Sequence, residues 1–445
     1  MEYKITKRML ESFDRNIGKN RLIKMARNAA VHGEVTDLAM NWEAYSQIDH
    51  TFSEIVTGEM KVTDQKSSGR CWGFAGLNLL RILLGRKYNL KQFEFSQNYF
   101  MFWDKLEKAN YFLQNILKTL DEDWNSRLIM HLLIDPIQDG GQWDMFVNLI
   151  EKYGVVPQVA MPESHQSSNS SRMNRMITRK LRECAKILRS EHNSGVSTKE
   201  LIKQKEKMLE VVYQMLVISL GTPPKTFQWQ ARNKEKKFIR LDPMNPQEFY
   251  KETLGINLRD YLCLINAPMV DKKFNEVYTI DYLGNVVEGE IIKYVNLEID
   301  QLKKFATTSI QNDEPVWFGC DVGKHFHRNL GVMDMELFNF ELFYSTEFGL
   351  DKGGRLEYGD SMMTHAMLFT GVNLENNKPT KWRVENSWGE KGGKKGYDIM
   401  TDSWFNEYLY EIVINKKYLS PEIKKTAKKP PISLPPWDPM GALAF

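Results

Sequence analysis

Apolar positions recur at helical spacing through the first half of the chain and alternate through much of the second. In 4–34, Leu10, Phe13, Ile17, Leu22, Ile23 and Met25 form an imperfect stripe, which Gly18 is expected to divide into two helices. Residues 35–70 mix polar and turn residues, as in a segment wrapped across a larger body. From Cys71 the spacing of Phe74, Ala75, Leu77, Leu79 and Leu80 predicts a helix to about Leu84, stopped by Gly85. Ser96 is placed to cap a second helix, and 104–134 continues as charged, amphipathic helical material. Gly140-Gly141 interrupts, in a tight turn or a close backbone approach, before a helix over 142–153 that ends at Gly154. The Ser/Asn-rich run 163–171 reads as an exposed loop. Two long helices, 172–191 and 198–219, then form an insertion-like hairpin whose interleaved charges suit a solvated face.

Past Pro223-Pro224 the period shortens. A hairpin over 226–241 and a short helix at 246–253 lead to a strand at 260–265 and extended pieces at 278–281 and 286–292. A helix over 297–310 precedes a core strand at 315–321, and 332–350 alternates loosely. Gly353-Gly354 and Gly359 read as a flexible approach to an apolar strand at 362–372, followed by strands at 382–389, 396–400 and 404–414. The fold class expected is α+β, a helical half and an antiparallel sheet half. The divisions are 1–60, an N-terminal arm; 61–160, the helical half; 161–255, a helical insertion; 256–415, the sheet half; and 416–445, a C-terminal arm. The Lys/Pro-rich tail 415–436 is expected to form neither helix nor central strand. Its apolar ending, 437–445, suggests docking at a specific place.

Composition narrows the function. The chain has 445 residues, 42% hydrophobic and 12% aromatic, enough for a substantial core. A net charge of +3 gives no polyelectrolyte signal, which excludes an obligate nucleic-acid partner. Cys71, Cys184, Cys263 and Cys320 form no CxxC pair, and the last three fall at packing positions. His325 and His327 would share one face of a strand but lack further ligands at metal spacing, so no metal or other cofactor is expected. The charged N-terminus lacks a signal-peptide core and no apolar run spans a bilayer. A soluble cytoplasmic protein without membrane contact, its thiols reduced, is the expectation.

Candidate chemistry centres on Cys71. In the first turn of its helix it faces unpaired N–H groups and the positive helix end, which should lower its pKa. A cysteine ahead of an apolar helix is also what a packing residue looks like, so a base and an orienter are needed elsewhere. Gln65, six residues earlier, carries an amide able to meet an oxygen near the sulfur. His365 is the one histidine in a glycine-approached, buried-looking strand, and Asn386 lies 21 residues on, in the neighbouring strand. Its amide oxygen would accept from one ring nitrogen and leave the other for the thiol, with Trp388 shielding that bond from water.

Taken together, QKSSGRCW, MTHAM, VENSWG and the ending WDPMGALA resemble the papain-like cysteine peptidases, in the branch of the bleomycin hydrolase/aminopeptidase C family. Cys71 and His365 stand 294 positions apart, and that branch carries large insertions. The resemblance implies a papain-like fold with helical insertions and a C-terminal arm reaching the active-site cleft. It implies amide hydrolysis through a thioester, with Cys71 as nucleophile, His365 as base and then acid, Asn386 as orienter and Gln65 in the oxyanion hole. Gly140 and Gly141 would bind substrate backbone. Ala444 or Phe445 would carry the terminal carboxylate that holds a substrate's free α-ammonium, making the enzyme an aminopeptidase. The implied partners are peptides with a free N-terminus and further copies of the chain in a hexamer; some members also bind nucleic acid. The competing readings are an endopeptidase or an amide acyltransferase with the same Cys-His-Asn chemistry, a non-catalytic protein on the same frame, and a nucleic-acid-binding protein.

Overall fold

The computed structural model describes residues 4–442. Its two halves meet along a seam where the Cys71–Lys87 helix lies against the His365–Glu375 strand. The first half is built on that helix because it is apolar all round. All but three of its 17 residues are buried. Gly73 and Gly76 are required there by close approach: a Cβ on either would lie 2.4 Å from Phe100 or 2.6 Å from Phe146. The helices Gln97–Lys118 and Trp143–Tyr153 supply those rings.

The second half is a twelve-stranded, mostly antiparallel sheet. Its centre runs Tyr261–Ile265, Leu409–Asn415, Val316–Cys320, His365–Glu375, Lys378–Glu385 and Tyr397–Thr401 in space. In register, His365 pairs with Cys320 and Ala366 with Gly319, which also faces Glu411. One sheet face packs on the helical half through Trp317, Ala366 and Leu368. The other closes a separate core over the Ile299–Gln311 helix through Phe318, Met367 and Phe369. The insertion forms the helices Ser171–Asn193 and Thr198–Leu220, which pack on Gln97–Lys118.

Several local expectations are revised. The first helical stretch breaks at Asn20, which caps Leu22 and Ile23, and Gly18 stays inside the helix Lys7–Lys19. Helical material after 104 stops at Lys118 and restarts as Arg127–Ile134 where Ser126 caps it. The 163–171 run is no exposed loop: His165–Ser168 is a capped helical turn, with Ser167 and Ser170 buried. The 286–292 segment forms no strand, and of 332–350 only Val332–Met333 is a strand. Gly353 and Gly354 lie within the helix Lys352–Glu357, capped by Asp351; a Cβ at Gly353 would meet the Pro268 carbonyl at 2.3 Å. Trp404 belongs to the helix Asp402–Tyr408, which precedes the last core strand. The Lys/Pro-rich tail does contain a helix, Pro421–Thr426, because Ser420 caps it and Pro421 takes its first position. Its strand Ile432–Leu434 adds at the sheet edge in parallel to Tyr278–Ile280. Ala444 and Phe445 lie outside the described residues.

Glu411 is fully buried, and its carboxylate oxygens meet no nitrogen or oxygen donor. Burial pushes its pKa from 4.5 up to about 8, against the pull of the Cys263 thiol and with Asp144 adding to the rise. The folded chain therefore binds a proton that the unfolded chain gives up between those values, and stability falls as pH climbs through that window. Roughly 1.4 kcal/mol is at stake per unit of pH crossed. Thermal melting at pH 5 and pH 8 should show Glu411→Gln losing less midpoint over this interval than the native chain. Equal losses would mean that Glu411 is not the neutral group in this core.

Candidate active site

Cys71 is the first residue of its helix and is 1% exposed. The preceding Arg70 provides no side-chain cap, so the loop is fixed from outside. Arg70 makes a two-pronged pair with Glu163 at 3.0 and 2.8 Å. Ser67 N–H donates to the Ser168 carbonyl at 3.0 Å. Asp139 does more: its carboxylate accepts from the Gly69 amide at 2.9 Å, from Asn174 at 2.7 Å, from Ser170 and from the buried Lys105 at 2.6 Å. Its carbonyl accepts from Trp72 Nε1 at 2.7 Å. Burial pushes the Asp139 carboxyl up, but the Lys105 ammonium and the hydrogen bonds outweigh it and hold it well below the usual carboxylate range. No spacing in the sequence singles out Asp139, Glu163 or Lys105; only the clustering of polar residues on buried surfaces betrays them.

Gly141 follows from this packing, since a Cβ there would lie 2.5 Å from the Trp72 indole. The Gly140 carbonyl accepts from Lys108 Nζ at 2.5 Å. Next comes Gln142, which the sequence reading missed: its Nε2 donates to the Ala442 carbonyl at 3.0 Å. The last described residue of the C-terminal arm, Ala442, therefore lies against the segment that follows the glycine pair. It is pinned upstream by the buried Asp438–Lys272 ion pair at 2.7 Å, by buried Met440 and by Arg127 stacked 3.9 Å over Trp437.

Across the seam, the Cys71 side chain packs in one core with Ala366, the residue after His365. His365 is 4% exposed and its Nε2 sits 3.0 Å from Asn386 Oδ1. Asn386 Oδ1 also accepts from the Ser387 amide at 2.8 Å, and its Nδ2 donates to Asp398 at 3.0 Å. The Trp388 ring lies 4.7 Å from the imidazole, tilted by 32°. Gln65 joins the same side through its backbone, donating to the Ser387 carbonyl at 2.8 Å. Its side-chain Nε2 donates to the Ser68 carbonyl at 2.6 Å, while Oε1 is buried without a partner. An amide nitrogen carries two hydrogens, so one remains beyond the Ser68 bond. Cys71, His365, Asn386, Gln65 and Trp388 thus come together, with Gly140, Gly141 and the arm adjoining. His325 and His327 pack instead against Phe338, and His325 also against Phe340 and Tyr408.

One electrostatic expectation is reversed. Burial pushes the Cys71 thiol up to about 12, although the amides of Ala366, Trp72 and Cys71 itself pull it down. Desolvation also pushes His365 down to about 4, against the hydrogen bond that it donates to Asn386 and with the Arg328 charge adding to the fall. At such burial the loss of water outweighs the helix end. The resting pair is a thiol and a neutral imidazole. With Asn386 Oδ1 taking the Nε2 proton, Nδ1 is left as the acceptor. The pair is a buried thiol and a buried imidazole of fixed tautomer, groups of the kind that acyl transfer uses.

Known proteins share the sequence and fold of this chain. A family model described as the Peptidase C1-like family matches residues 4–441. The chain is 47% identical over its whole length to all of the aminopeptidase C of Listeria innocua. It is 44% identical to bleomycin hydrolase of Mus musculus over 94% of each chain. The crystal structure of PepW from Lactobacillus rhamnosis superposes with a TM-score of 0.98, at 43% identity and full coverage of both chains. The chain therefore belongs to the papain-like cysteine peptidases, in the bleomycin hydrolase/aminopeptidase C family.

Proposed function

We propose that this enzyme, a cysteine aminopeptidase, removes N-terminal residues from peptides with Cys71 as its nucleophile. The observation that carries the assignment is Cys71 packed in one core with Ala366, the residue after a histidine whose Nε2 is held by Asn386. His365 Nδ1 takes the thiol proton as Cys71 Sγ bonds to the scissile carbonyl carbon. The carbonyl oxygen gains charge and is met by the Cys71 backbone N–H and the free N–H of Gln65. Collapse breaks the C–N bond, and His365 returns the proton to the departing amine. Water then attacks the thioester with His365 again as base, releasing the acid and restoring the thiol. Gly140 and Gly141 lie against the substrate backbone, and Trp388 shields the His365–Asn386 bond.

The arm gives the exopeptidase register. Its end, Ala444 or Phe445, carries the carboxylate that pairs with the substrate's α-ammonium, so a blocked or longer N-terminus is refused. The bond from Gln142 to Ala442 supports this placement. The same chemistry without an arm would be an endopeptidase. Bleomycin hydrolase activity on a drug amide would follow as an incidental use of this site.

We further infer a homohexamer. On the first two helices Leu10, Phe13, Ile17, Leu22 and Met25 are each at least 47% exposed, an apolar stripe that one chain leaves uncovered. A cytoplasmic setting suits the four free cysteines. Among the described residues no helix is long and apolar enough to cross a membrane.

Four outcomes are expected. In a panel of free-amine and N-terminally blocked peptides, Cys71→Ser should lower turnover of the free-amine set by about 10⁴-fold or more. Deleting 441–445 should open cleavage of the blocked set; no such gain would sink the role of the arm. The acid limb of kcat/KM should have its midpoint near 4, because His365 must be neutral to accept the thiol proton. A midpoint at the ordinary imidazole value of 6.5 would contradict the buried, neutral base. Light scattering should give about six times the 52.0 kDa chain mass, and a monomer at micromolar concentration would overturn the assembly.

A further inference from the structure

The buried carboxylate behind Asn386 is used by none of the steps above. Asp398 lies in the strand Tyr397–Thr401, opposite Val384, and is 3% exposed. Its Oδ2 accepts from Asn386 Nδ2 at 3.0 Å. Two glycines with positive φ make room for it: a Cβ on Gly331 would come within 2.4 Å of Asp398 Oδ1, and one on Gly393 within 2.6 Å. Nothing larger fits that cradle.

An amide side chain presents two faces of nearly the same shape. Turned one way, Asn386 offers its oxygen to His365 Nε2, which must then carry the proton. Turned the other way, it offers N–H groups, which forces the proton onto Nδ1, the nitrogen that has to receive the thiol proton. The reaction needs the first orientation only. A carboxylate accepts and cannot donate, so it admits only the amide nitrogen of Asn386. The Ser387 N–H bond to Asn386 Oδ1 favours the same orientation.

We propose that Asp398 is a positioning residue for the peptidase reaction, fixing the orientation of the Asn386 amide and through it the tautomer of His365. The inference rests on Cys71, His365 and Asn386 acting as proposed above. Burial pushes the Asp398 carboxyl up to about 7, against the pull of the Asn386 bond and of Arg328. It is therefore mostly an acceptor-only carboxylate at pH 8. Arg328 itself lies 4.1 Å over the Trp388 ring, on the rim of the same site.

The test is a double-mutant cycle at pH 8 with Asp398→Leu and Asn386→Ala. Asp398→Leu should lower kcat about tenfold, the size of one charge-assisted hydrogen-bond preference, and leave KM within about a factor of two. Alkylation of Cys71 by iodoacetamide should slow in parallel, since that readout needs no substrate. Added to Asn386→Ala, Asp398→Leu should change neither rate further. If Asp398→Leu does not fold, Asp398→Asn takes its place in the cycle, with a smaller loss expected. An unchanged kcat in the folded single variant, or a loss just as large on the Asn386→Ala background, overturns the proposal. Cys71→Ser and Asn386→Ala report on the catalytic assignment separately, so that reading stands or falls whatever the cycle shows.

Discussion

The site depends on one buried charge pair, Asp139 with Lys105. Their side chains are 9% and 0% exposed, so neither charge has water to fall back on. Removing one partner of such a pair typically costs about 3–5 kcal/mol, because the other is left uncompensated. What makes the pair more than a core feature is its further reach. The Asp139 carboxylate takes the Gly69 amide just ahead of Cys71, and its carbonyl takes the Trp72 indole just behind it. The same residue opens the Gly140–Gly141 segment. Three parts of the cleft are therefore held by one side chain that never touches the reaction.

Such rigidity has an electrostatic consequence. Packing Cys71 at 1% and His365 at 4% exposure leaves little water to stabilise either charge alone. Ionising only the thiol, or only the imidazole, is therefore disfavoured. In the proposed attack, moving one proton from sulfur to nitrogen would create both charges at once, so that each stabilises the other. The site resists isolated charge and suits the paired charge separation of the proposed attack. Donors already in place, the Cys71 and Ala366 amides among them, need no rearrangement when that charge appears.

Much of this was legible in the chain, and the reasons are physical. The Cys71 helix is apolar on every side, and only a helix buried between two layers reads that way. His365 and Asn386 begin and follow adjacent strands, and antiparallel pairing brought them together as the alternation implied. Where reading failed, a local signal was overridden by a distant one. Ser167 and Ser170 look like loop residues until Glu163 and Asp139 claim them. Gly353 looks like a hinge, yet its lack of a side chain serves contact with Pro268. The helix end at Cys71 promised a low pKa, but burial, which depends on the whole fold, proved the larger effect. Polar residues buried far apart in sequence, such as Asp398, carry no periodicity and cannot be paired before the strands are.

The insertion is best understood through the loop it holds. Arg70 leaves the start of the Cys71 helix without a side-chain cap, and a free helix end frays. The ties that replace the cap come from the segment leading into the insertion and from its first helix: Glu163 on Arg70, Ser168 on Ser67, and Ser170 and Asn174 on Asp139. Ile177, Leu181 and Leu188 of that helix share one core with Phe112 and Ile116 of the helix that carries Lys105. Loosening the insertion would thus loosen the loop and the charge pair together. A segment that looks like an appendage in sequence is part of what keeps Cys71 in place.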